Sequence, residues 1–129
     1  KKNTKKNLVI DAASEKIIFK IIDQNKIYTN DYENSRKNFD KFAILLFNFL
    51  EKNMISFDFV DKVFINLGPG KYSSIRTSIS TFKALNLIYK FEIYGFCSKD
   101  VENCDYARVL DLFKKGKLIK KLIKPLYMS

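Results

Sequence analysis

The sequence contains no histidine and only two cysteines, four glycines and two prolines in 129 residues. Without histidine, acid–base steps through imidazole and every metal site built on it are excluded. The cysteines, Cys97 and Cys104, are separated by six residues with no other soft ligand beside them. That spacing suits neither a structural zinc site nor a CxxC pair, so both read as free thiols, and no metal or cofactor is expected. No apolar run reaches the roughly 20 residues of a membrane helix, and the start KKNTKKN lacks the apolar segment of a secretory signal. A cytoplasmic protein without membrane contact is the expectation.

Carboxylates are also scarce: 14 Asp and Glu stand against 24 Lys and Arg, for a net charge of +10. Such a balance favours anionic partners such as RNA through counterion release, but an abundance of Lys, Asn, Ile, Phe and Tyr is equally what a compositional bias produces. Two clusters could touch tRNA or simply be solvated: Lys1, Lys2, Lys5 and Lys6, and Lys114, Lys115, Lys117, Lys120, Lys121 and Lys124.

What is present is a core. With 47% hydrophobic residues the chain can bury one sizeable interior, so residues 1–129 are expected to form one domain, with 1–6 as a basic arm and 101–129 as a closing helix and tail. The runs at Leu8–Asp11, Lys16–Asp23 and Lys26–Asn30 read as three antiparallel strands, with AASE and DQN as connections. From Arg36 the period changes to that of a helix reaching Asn53, capped by Ser35, with Phe39, Phe42, Ala43, Leu46, Phe49 and Leu50 inward. Ile44 and Leu45 project away from that face and suggest a second contact. KVFINL at 62–67 reads as a buried parallel strand. A helix from Ser74 to about Tyr89 follows, with Ile75, Ile79, Phe82, Leu85 and Tyr89 inward and Thr77, Ser80, Thr81, Ala84 and Leu87 on the opposite side. Residues 91–96 form a fifth strand. A third helix, 106–115, faces inward through Ala107, Leu110 and Phe113 and stops at Gly116. The order β-β-β-α-β-α-β-α predicts an α/β protein with a mixed five-stranded sheet, a single ribonuclease H-like lobe as in the actin-like ATPases.

In such a sheet ligands bind at the carboxyl ends of the strands, where Asp11 and the GPG turn meet. A nuclease of the ribonuclease H-like type, for example one resembling a Holliday-junction resolvase, would need several carboxylates there to hold two metals. Asp11 has no acidic companion on the fourth strand, but such a nuclease remains the alternative, alongside a small sugar-kinase-like or other binding lobe. The stretch NLGPGKYSS lacks Walker spacing, so its glycines are better read as a sharp strand-to-helix turn than as a phosphate loop.

LVIDAASEKIIFKI and VFINLGPGKYSSIRTSISTFKALNLIYKFEIYGF together resemble the TsaB (YeaZ) family. Ile10, Asp11 and Ser14 match its first motif; Gly68, Pro69, Gly70, Ile75, Arg76, Lys83, Ala84 and Leu85 match its second, and KPLYM resembles its tail. DAAS replaces a DTS pattern, Ser73 and Ser74 replace threonine and glycine, and the chain has no room for a second lobe, so it reads as a reduced form. The resemblance implies a non-catalytic scaffold in the formation of N6-threonylcarbamoyladenosine at position 37 of tRNA. It pairs through helices with the catalytic subunit TsaD, and the ATPase TsaE joins the pair. The motif loop would be Asp11, Ser14, Gly68, Pro69 and Gly70, without a catalytic role. The partner surface would be Ile44, Leu45, Arg76, Thr77, Ser80, Thr81, Ala84 and Leu87, which a second copy could occupy when the partner is absent.

Overall fold

Period-two alternation explains the first half of the chain. A computed structural model describes residues 5–24 and 26–120, with the side chains of 102–104, 119 and 120 left out. In β2 (Lys16–Ile22), Ile17, Phe19 and Ile21 are buried on one face. β1 (Lys6–Asp11) pairs with it antiparallel, and β3 (Ile27–Glu33) pairs on its other side. β3 runs past the expected Asn30 because Tyr32 sits opposite Ile17 and packs its ring 6.0 Å from Phe19, so burial carries the strand onward. Lys6 opens β1 and lies 3.7 Å from Asp23, so it belongs to the sheet and not to a basic arm. Residues 1–4, Asn25 of the expected turn and the tail with Lys121, Lys124, Pro125, Leu126 and Tyr127 lie outside the described residues.

The expected first helix is two helices, α1 (Arg36–Phe39) and α2 (Phe42–Lys52). Ser35 caps α1 as its sequence position suggested, its Oγ accepting from the Asn38 amide at 3.3 Å. Lys41, with φ −120° and ψ 36°, leaves the helical region and resets the phase. Counted from Phe42, the buried residues are Phe42, Leu45, Leu46, Phe49 and Leu50, the i, i+3, i+4, i+7, i+8 stripe of a core-facing helix. Leu45, only 9% exposed, is therefore a core residue and not part of an outward contact, whereas Ala43 is exposed. Ile44 does project outward, at 59% exposure.

β4 (Val60–Asn66) lies parallel to β1, with Ile65 opposite Ile10, and β5 (Glu92–Phe96) lies parallel to β4. Between them α3 (Tyr72–Leu85) buries Ile75, Ile79 and Phe82; turns replace the last expected helical residues. α4 (Ala107–Lys114) follows β5, and a sixth strand, β6 (Ile119–Lys120), pairs antiparallel with it. The sheet order is β3-β2-β1-β4-β5-β6. Gly116, at φ 70°, closes α4: its amide bonds the Phe113 carbonyl and that of Lys117 bonds Leu112, the paired bonds of a Schellman end.

Helices cover both faces. α2 and α3 close the larger core, where Phe19, Phe42, Phe49, Phe57 and Phe82 meet through edge and tilted ring contacts. α4 closes a smaller one with Val9, Phe64, Tyr94, Phe96 and Val109. In α4 the inward position is Val109, fully buried, and not Ala107, which is exposed: Tyr106, Val109 and Phe113 at i, i+3, i+7 form the stripe. No helix among the described residues is long and apolar enough to cross a membrane.

The smaller core holds one phenol far from its ordinary behaviour. Burial first, then a 2.7 Å hydrogen bond donated to Glu92 and that carboxylate's charge, push Tyr94 from 10.0 up to about 12. A raised pKa favours the neutral phenol in the fold, so its stabilisation is complete below pH 10 and is lost as pH rises from 10 to about 12. Spectrophotometric titration should show one phenol ionising near pH 12 that Tyr94→Phe removes. The same variant should flatten the alkaline loss of stability in that window.

Candidate functional site at the carboxyl ends of the strands

β1, β4 and β5 deliver their last residues to one place, and the chain fills it with its own polar groups. Asp11, 5% exposed, ends β1. Its Oδ1 accepts from the Ala13 amide at 3.1 Å and from Asn66 Nδ2 at 3.0 Å; its Oδ2 accepts from the Tyr106 hydroxyl at 2.7 Å. Asn66, the last residue of β4, turns its own Oδ1 to the Gly68 amide at 2.7 Å and so fixes the start of the GPG turn. Ser98, just beyond β5, accepts from Asn66 Nδ2 at 3.2 Å and donates to the Pro69 carbonyl at 2.9 Å. One carboxylate and one amide thereby join β1, β4, the segment after β5 and the start of α4.

A second amide ties in the helices. Asn34 donates through Nδ2 to the carbonyls of Ala12 and Ser14 at 3.0 and 2.7 Å, and its Oδ1 accepts from Ser74 Oγ at 2.6 Å. Ser78 Oγ donates to the Ser74 carbonyl at 2.9 Å. Serine is thus used inside α3 because both hydroxyls are buried and matched. Gly70 lies directly over Ala13: a Cβ there would overlap the Ala13 carbonyl oxygen and its Cβ, while the Lys71 amide donates to that same carbonyl at 2.7 Å. The glycine is required by this backbone approach, not by a phosphate.

Among the described residues no buried side-chain nitrogen or oxygen lacks a partner, and no group of three His, Cys, Asp or Glu stands close enough to hold a metal ion. A metal at Asp11 would have to displace the Tyr106 hydroxyl. Cys97, half-buried, has its thiol pushed up first by burial and then by the Asp100 carboxylate, with Lys99 opposing, which makes it a poor nucleophile.

Of the motif residues, Asp11, Gly68, Pro69 and Gly70 are brought together. Ser14 contributes only its carbonyl and is otherwise exposed. Asn34, Asn66, Ser74, Ser98 and Tyr106 carry the network and were not legible as site residues. The one sequence signal was an amide, Asn66, ending an otherwise apolar buried strand.

The helical surface is the second candidate. On α3, Arg76, Ser80 and Ala84 are exposed and Thr77 and Thr81 half-buried; Leu87, 88% exposed, lies in the turn beyond the helix. Arg76, Thr77, Ser80 and Thr81 line one depression of about 370 Å³ with Phe39, Tyr72 and Ser73. Ile44 and Ala84 lie outside that lining, and Leu45 is buried.

The sequence matches no protein-family model and no curated protein. Two solved structures are similar in fold: YeaZ from Pseudomonas aeruginosa, and a protein from the same organism described as uncharacterized with similarity to peptidase YeaZ. Each superposes with a TM-score of 0.70 at 13% identity, over 81% of this chain and 49% of the other. The chain thus shares the fold of YeaZ and spans about half the length of these structures.

Proposed function

We propose that this chain is a non-catalytic scaffold in the formation of N6-threonylcarbamoyladenosine at position 37 of tRNA, pairing with a TsaD-like catalytic subunit through α3 and the exposed edge of α2. In this reading the meander β3-β2-β1, extended by parallel β4 and β5, is a ribonuclease H-like lobe of the actin-like ATPase kind. The observation that carries it is a contrast: the strand-end crevice, where a ligand would react, is occupied by three donors on Asp11, while the outer face of α3 is left to solvent. The likeness to YeaZ supports the choice of partner. A TsaE-like ATPase joining the pair, tRNA contact through the lysines and a cytoplasmic setting belong to the same proposal.

Co-purification with a TsaD-like subunit tests it. Ala84→Glu, which adds a charge on an exposed position, should weaken the complex at least tenfold and leave the fold intact. A chain that neither binds the catalytic subunit nor changes its activity would sink the reading.

A further inference from the structure

The depression beside α3 is continuous with a second one of about 500 Å³, since Phe39, Tyr72 and Ser73 line both. Together they form a groove between α1 and the first half of α3. Its cations are Arg36, Lys71 and Arg76, and no carboxylate is among the residues that line it. Glu15, outside the lining, approaches Lys71 Nζ to 3.8 Å. Arg76 stacks 5.4 Å from the Tyr72 ring centre and donates to its hydroxyl at 2.9 Å, which holds the guanidinium along the groove wall.

Resting on the reading of this face as a partner surface, we infer that the groove receives an acidic helix of another protein. Its carboxylates would meet Arg36, Lys71 and Arg76, and its apolar side would lie on Phe39 and Tyr72. Charge complementarity selects this occupant over a second copy. A two-fold dimer sets each patch against itself, so the same three cations would face their own images with no acid to separate them. Nucleic acid would also satisfy the cations. Past Ala84, however, the α3 edge ends in Leu87 and Ile88, 88% and 72% exposed, and a phosphate backbone has no use for aliphatic surface.

Titration calorimetry with the TsaD-like subunit, and with a synthetic helical peptide carrying glutamates at i, i+4, provides the test. From 50 to 500 mM salt, affinity for the subunit is expected to fall at least tenfold; Arg36→Gln with Arg76→Gln should weaken binding about tenfold at low salt and flatten the salt dependence. Both sites are exposed, and an unchanged thermal midpoint establishes that the variant is folded. Subunit binding that ignores salt and both substitutions overturns the acidic groove and leaves the pairing intact. No subunit binding, with the peptide still bound in an arginine-dependent way, overturns the pairing and supports the groove. Loss of both overturns both. Salt-sensitive binding of tRNA at these arginines in place of either, or a dimer of the chain alone that Arg76→Gln strengthens, also overturns the acidic-helix assignment.

Discussion

Asp11→Ala is expected to destabilise the fold by about 4 kcal/mol, because it strands three buried donors at once: the Ala13 amide, Asn66 Nδ2 and the Tyr106 hydroxyl. Total stability for a domain of this size is about 5–15 kcal/mol, so the loss is a large fraction of it. Asp11→Asn should cost only about 1–2 kcal/mol. Its carbonyl oxygen can keep the Oδ1 bonds, and its amide can donate to Tyr106 once that hydroxyl rotates. Urea unfolding midpoints measure both. A structural carboxylate predicts this unequal pair, whereas a metal-binding nuclease carboxylate predicts little stability change with either and loss of cleavage with both. Equal, small losses would refute the network as a stabilising element.

The second large effect separates neighbours. Leu45→Glu places a carboxylate among Phe42, Leu46 and Phe49 and should cost about 4 kcal/mol or more, a fall of roughly 15 °C in thermal midpoint. Ile44→Glu, one residue earlier, should change stability by no more than about 0.5 kcal/mol. Only the latter can report on a partner surface, because loss of binding with Leu45→Glu would record unfolding. If Leu45→Glu keeps the wild-type midpoint, α2 does not bury this side chain.

These two positions mark what could be read in advance. The strands were legible because their signal is local: LVID and KIIFKII carry their burial pattern in consecutive residues, and β4 carries the continuous apolar run of a central strand. Helix phase was less so. Nothing in RKNFDKFAILL is a helix breaker, and the turn at Lys41 arises where Phe39 and Phe42 both seek the sheet, so a wheel drawn across it misplaced Leu45 and Ala43. In the site, Asp11 and the GPG turn stood out by type and position. Their partners could not, because Asn34, Asn66, Ser98 and Tyr106 are ordinary residues made neighbours by strand order alone.

That strand order also bears on when the knot at Asp11 is tied. Its bonds span 55 residues to Asn66 and 95 to Tyr106, and Asn34 reaches 40 residues to Ser74. Closing such long loops costs chain entropy that a single hydrogen bond cannot offset, so these bonds form after the local hairpin and helices have already brought the strands together. The residues that make the family-like signature are thus set last during folding. Their contribution falls on the rate of unfolding more than on the rate of folding.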